Sequence, residues 1–368
     1  MTYTKEELKL IWVDSFYGLE YKHKRAIFDV IKNAEDSKVA LENAKSKIVE
    51  CIGENEYNTL IQSLTSRYMN YCLDGLERRG ITAITYLSEN YPERLKNIEI
   101  FPLILYAKGD ISLMDDNNIA MVGSRKTLPV SIALAKKFAR ELSKNDFILV
   151  TGIAEGVDSA VLEGALEESG KVISVIAGGF DHVYPSQNTE LLDRVMEKGL
   201  ALAEFPPEVK PQRFMFPVRN RIIAGLARGT LVVSGRKKSG TLYTAEYAEE
   251  FGRDLFAIPY SVGIESGEGC NDLIKRGAIL CDSVSDILDF YGVEKREEKI
   301  DLTPDEQKVI GTLREGSMHI EKIADKIGKQ VFEVQTILSV LEIKGVVVRS
   351  GANVYGLIVG GVNATNNS

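Results

Sequence analysis

Residues 119–127 read IAMVGSRKT, residues 147–158 read FILVTGIAEGVD and residues 230–241 read TLVVSGRKKSGT. Each opens with a short aliphatic and β-branched run, the pattern of a strand buried on both faces, and then breaks into glycine and polar residues. Runs of the same kind stand at 172–177 (VISVIA), 200–205 (LALAEF), 255–259 (LFAIP) and 278–281 (AILC). Amphipathic stretches lie between them. Residues 129–145 form one, with a proline in the first turn and Ile132, Ala135, Phe138, Ala139 and Leu142 on one face. Strand and helix alternating this often predict an α/β fold, a doubly wound parallel sheet over residues 81–292.

Outward from the sheet the rhythm changes. Residues 1–80 are predicted helical: Leu8, Ile11 and Trp12, then Ile27, Val30 and Ile31, keep the spacing of one buried face. A periodic stretch from Leu60 to Leu76 predicts one helix that stops at Arg78-Arg79-Gly80. On the other side, EKREEKI at Glu294–Ile300 reads as a charged linker. A small domain is predicted over 300–358: a Thr-Pro-Asp-Glu helix start, helices over 320–327 and 331–344, and a hairpin in VVVRSGANVYGL, together a winged helix. Residues 359–368 are too polar and glycine-rich to pack and are expected to be a flexible tail.

The chain has 368 residues, 44% hydrophobic and 27% charged, enough for two or three domains of ordinary globular protein. It has no apolar run near the ~18 residues of a membrane span, and its start mixes acids with bases. A cytoplasmic protein without a membrane contact is expected. The four cysteines, Cys51, Cys72, Cys270 and Cys281, form no C-x-x-C pair, and the histidines His23, His182 and His319 are scattered. Neither a metal site nor a disulfide framework is suggested, and no cofactor is expected.

The net charge of −8 argues mildly against nucleic acid, so the placement of the bases decides. In open parallel sheets ligands bind beyond the carboxyl ends of the strands. There this sequence puts Gly123-Ser124-Arg125-Lys126-Thr127, then Thr151-Gly152 to Gly156 and Asp158, then Gly235-Arg236-Lys237-Lys238-Ser239-Gly240-Thr241; Arg213, Phe216, Arg219, Asn220 and Arg221 follow LALAEF. Glycines admit a phosphate to the backbone, helix starts supply unpaired N–H groups, and arginine adds a planar fork. Phe180 and Tyr184 abut a strand and read as core, whereas Phe216 near Arg213 suits stacking on a base. Asp158 at a helix start reads as a cap rather than a catalytic acid. No Ser-His-Asp order, H-E-x-x-H or G-x-x-x-x-G-K-[ST] is present, so no catalytic residue is assigned.

The succession VGSRKT, TGIAEGVDSA, VIAGGFDHVYPSQN, FPVRNRIIAGLARGTLVV, SGTLYTAEYAEEFGRDLFAIP and GCNDLIKRGAIL resembles the DprA (Smf) family of DNA-processing proteins over about residues 85–290. The resemblance implies an extended Rossmann-like domain that binds single-stranded DNA, forms a homodimer and helps load RecA during natural transformation, with helical N-terminal and winged-helix C-terminal domains common. Carried over by position, Arg125 of the Gly123-Ser124-Arg125 turn would grip phosphate. Asn220, Arg221 and Ser239-Gly240-Thr241 would line the same pocket, and Arg213 and Phe216 would hold and stack the strand. Gly152, Gly156 and Lys238 complete the expected loops. Members often carry a base where Glu155 stands here, a histidine where VLEG stands, and PGS where Pro259-Tyr260-Ser261 stands.

Two other readings remain open at this point. Ser239-Gly240-Thr241 with Glu246 faintly echoes the G-G-x-G-T-x-x-E turn of phosphoribohydrolase-like nucleotide enzymes on a similar fold. A regulator acting through the winged helix is the other, but residues 300–368 hold seven bases against eight acids. Groove reading calls for a basic surface, so that domain is expected to serve protein contact or dimer support.

Overall fold

The computed structural model describes residues 3–114, 117–296 and 302–357. The chain divides into two compact units, Met1–Lys295 and Arg296–Ser368. In the first, a nine-stranded sheet contains β1 (Thr82–Thr85), β2 (Ile104–Gly109), β3 (Asn118–Val122), β4 (Ile148–Thr151), β5 (Val172–Ile176), β6 (Leu200–Ala203), β7 (Gly229–Val232), β8 (Asp254–Ala257) and β9 (Ile279–Leu280). Their order across the sheet is β1-β2-β6-β5-β4-β3-β7-β8-β9. All neighbours from β6 to β9 are parallel, and β3 to β7 are buried along their whole length.

Apolar side chains of the strands divide between the two faces. Ile119, Met121, Leu149 and Leu231 join a cluster with Ala135, Phe138, Val161 and Ala165 of the helices Pro129–Lys144 and Val157–Glu168. Ala120, Val122, Val150 and Val232 join another with Ile222, Ile223, Ala245 and Leu95. The sheet is therefore the middle of three layers, as a doubly wound fold requires.

Strands β1 and β2 carry no separate signal in the sequence; they extend the sheet antiparallel beyond β6. TAIT is only four residues long, and LILYA reads equally as a buried helical turn. The N-terminal helices sit against this edge. Tyr106 of β2 donates to Asp14 Oδ2 at 2.8 Å, and Lys24 pairs with Asp14 Oδ1 at 2.8 Å, both inside the fold. Leu10, Ile11, Trp12 and Phe28 share the first cluster with Ala83 and Tyr106, so one continuous core runs from the helices into the sheet. The single helix expected over Leu60–Leu76 is two, Glu54–Ser63 and Ser66–Arg78. Leu64 leaves the helical region, and Thr65 caps the second helix by accepting from the Tyr68 N–H at 3.2 Å.

The second unit has its own core: Val309, Ile310, Leu313, Ile323, Val334, Leu338, Leu341 and Tyr355. Helices Pro304–Leu313, Ile320–Ile327 and Val331–Ile343 pack with β10 (Met318–His319), β11 (Val347–Gly351) and β12 (Val354–Leu357), paired in the order β10-β12-β11. That is the winged-helix arrangement. The expected tail at 359–368, and the linker from residue 297 on, lie outside the described residues.

Candidate nucleic-acid interface

Strand β3 lies between β4 and β7. The chain leaves β3 for β4 on one side and returns to β7 on the other, so the loops above β3 and β7 diverge and leave a crevice. It is an open cleft of about 1180 Å³. Gly123, Ser124, Arg125 and Lys126 form one wall, Arg236, Ser239, Gly240 and Thr241 the other, and Phe216, Arg219 and Asn220 of the helix Met215–Leu226 close it.

The walls are tied together. The Ser124 N–H donates to Ser234 Oγ at 3.2 Å, and Asn220 Nδ2 donates to the Gly240 carbonyl at 3.3 Å. The helix Gly240–Glu250 begins on the cleft, so its first-turn N–H groups and positive dipole end are offered to an anion. Ser239 Oγ is buried there without a hydrogen-bond partner among the described residues.

Two of the glycines predicted to meet a ligand, Gly152 and Gly156, do a different job. A Cβ on Gly152 would stand 2.4 Å from both Arg219 Nη1 and Asp158 Oδ2, and Gly156, at φ +86°, would clash with the Ser124 and Arg125 carbonyls at 2.6 Å. Both let loops pack behind the cleft rather than line it.

Of the other expected site residues, Gly123, Ser124, Arg125, Phe216, Asn220, Ser239, Gly240 and Thr241 line the cleft, while Arg213 and Lys238 are exposed outside its lining. Arg221 is buried and ion-paired with Glu204, with 7% and 18% of their side chains exposed. Helix phase explains this: residues two apart point about 200° apart, so Arg219 and Arg221 cannot share a face. Phe216, Arg219, Asn220 and Ile223 hold the cleft side at helical spacing.

Arg219 is the residue that reading the motif by order passes over. Its guanidinium is held by the Val175 carbonyl and by Asn220 Oδ1 at 3.1 Å, beside Asp158. Burial pushes Arg219 down and Asp158 up, and each opposes the shift of the other through their charges. Asp158 accepts from the Ala154 N–H at 3.3 Å, in the turn before its helix, so it braces the loop instead of capping the helix N–H groups.

A second, smaller recess adjoins the cleft and is lined by Arg125, Glu155, Tyr184, Phe216 and Arg219 among others. Tyr184, expected in the core, is 55% exposed, because the loop after β5 carries it off the sheet. Its ring meets Phe216 edge-on with centroids 5.7 Å apart. Phe180 is half-buried against the first cluster. No group of three His, Cys, Asp or Glu able to hold a metal occurs among the described residues. No helix among them is long and apolar enough to cross a membrane.

A family model described as DNA recombination-mediator protein A matches residues 82–292, and one described as DprA winged helix domain matches residues 293–353. The chain belongs to the DprA family. DprA relatives include the DNA processing protein DprA of Bacillus subtilis, 38% identical over 218 residues that cover 59% of this chain and 73% of the relative. That of Streptococcus pneumoniae is 40% identical over 212 residues, 58% of this chain and 75% of the relative. The X-ray structure of DprA from Streptococcus pneumoniae superposes with a TM-score of 0.67 at 31% identity, covering 78% of this chain and 98% of that one. DprA from Helicobacter pylori, whose structure concerns its single-stranded DNA binding mode, superposes at 0.53 with 28% identity, covering 58% and 98%.

Proposed function

We propose that this DprA-family chain binds single-stranded DNA in the cleft above β3 and β7, protects incoming DNA in natural transformation, and acts without catalysis. The observation that carries this reading is the convergence of Arg125, Lys126, Arg219 and Arg236 on one cleft with the start of a helix and the rings of Phe216 and Tyr184 beside it. Bases and helix N–H groups suit phosphates, and rings suit unpaired bases of any sequence. The single-strand binding mode of the Helicobacter pylori relative supports the same ligand. Against the nucleotide-enzyme alternative, Thr241 lines the cleft whereas Glu246 is exposed outside its lining.

A homodimer is part of the proposal. It is supported by the open edge of β9, where Leu280 is exposed, and by the exposed Val262 and Phe290. Loading of RecA rests on the family resemblance alone, and a cytoplasmic location on the mixed charges of the first residues and the lack of a long apolar run in the sequence. The test is binding of labelled single-stranded and duplex oligonucleotides at increasing salt, with a nucleotide-hydrolysis assay alongside. Preference for the single strand, with log affinity falling by about 0.7 per phosphate contact for each decade of salt, is expected. Equal or tighter duplex binding, or nucleotide turnover, overturns the reading.

A further inference from the structure

Glu155 brings a carboxylate to the recess beside the cleft. It is the only exposed acid among the described residues that line either space, and its side chain has no hydrogen-bond or ion-pair partner among them. A groove that merely tracks phosphates gains nothing from an anion, because like charges repel. A carboxylate accepts hydrogen bonds and donates none, so what it can recognise is a base edge rich in donors.

The four bases differ there. Guanine sets N1–H and the N2 amino group side by side, matching the two oxygens of one carboxylate. Adenine and cytosine each set a single amino group beside an acceptor nitrogen, and thymine sets one N–H between two carbonyl oxygens. Elsewhere on its rim guanine presents O6 and N7, the acceptor pair that an arginine fork takes. The recess holds both kinds of partner: Glu155 as acceptor, and Arg125 and Arg219 as donors. Tyr184 and Phe216 supply ring surface for stacking, worth having for any base. In an unpaired strand the edges are open to be read.

We propose that the recess takes one base of the bound strand and that Glu155 makes guanine the preferred one. This rests on the single-strand reading of the cleft. In anisotropy titrations of the full chain, an oligothymidine strand carrying isolated guanines should bind about tenfold tighter than plain oligothymidine, and one carrying inosine, which lacks the N2 amino group, should keep only part of that gain. Glu155→Gln, checked for an unchanged melting temperature, should bring the guanine and thymine strands to within about twofold of each other. Equal affinity of the parent for all these strands overturns the proposal while leaving single-strand binding intact, as does a guanine preference that persists in Glu155→Gln. Failure to bind any single strand overturns the underlying reading instead.

Discussion

The guanidinium of Arg125 lies 5.1 Å from the centroid of the Phe216 ring. The loop after β3 and the helix Met215–Leu226 thus meet at the cleft mouth through a contact worth about 0.5–1 kcal/mol at an exposed site. The guanidinium edge stays open to solvent, since Arg125 is exposed. A cation stacked on a ring and open at its edge is already positioned for a phosphate oxygen.

Replacing Arg125 by alanine should therefore weaken single-strand binding about tenfold, with little effect on folding. The salt dependence should shrink by about 0.7 in slope, the share of one lost phosphate contact. Titrations at several salt concentrations and a circular dichroism melt measure both. An unchanged slope in a well-folded variant would remove Arg125 from the phosphate path.

Arg221→Ala should do the reverse. The substitution strands the Glu204 carboxylate, already with one oxygen buried and unpartnered among the described residues, in a low-dielectric interior. Breaking a buried pair in this way costs about 3–5 kcal/mol, so the melting temperature of the first unit should fall by several degrees. The protein that remains folded at low temperature should bind a strand with parental affinity. A normal melt with lost binding would return Arg221 to the site.

The contrast between Arg219 and Arg221 shows where the sequence stops being legible. The parallel strands could be read because burial on both faces leaves unbroken apolar runs, as in IAMV and VISVI. The cleft could be placed because basic loops follow two adjacent strands at the switch in strand order. Motif order carries no helix phase until the helix start is fixed, so Arg219 and Arg221 looked alike. Tyr184 reads as core because it follows a buried strand, yet the chain between Phe180 and Tyr184 turns outward. The break at Leu64–Thr65 was hidden by apolar residues that keep helical spacing across it.

The second unit should weaken in acid through Glu306. Burial acts to raise its pKa, but the Lys344 ammonium at 2.7 and 2.8 Å and the Thr303 N–H at 2.7 Å outweigh burial and hold it below the usual carboxylate range. A pKa lower in the folded than in the unfolded chain means the stabilisation is complete above about 4.3, the unfolded value, and is lost as pH falls through the folded one. Calorimetry of the full chain from neutral pH to pH ~3 should show the transition of this unit moving down over that window. In Glu306→Gln that transition should start lower at neutral pH and move less. Parallel pH profiles in the two proteins would show that another group controls it.

Deleting Asp301–Ser368 should leave single-strand affinity within about twofold of the parent, because phosphate attraction dominates such binding and this unit has little to give. Its bases are largely committed to its own acids: Lys308 and Lys329 to Asp305, Lys326 to Glu315 and Lys344 to Glu306. The helix Val331–Ile343 carries Phe332 73% and Ile343 86% exposed, beside exposed Gln335, Thr336 and Glu342 and with no exposed base, which suits a protein surface better than a DNA groove. Truncation should therefore show in sedimentation, as a changed association state, or in the capture of a protein partner. A large fall in oligonucleotide affinity at constant association state would mean that the winged helix touches the strand through Arg314, Lys322 or Arg349, which form no ion pair among the described residues, despite the charge balance around them.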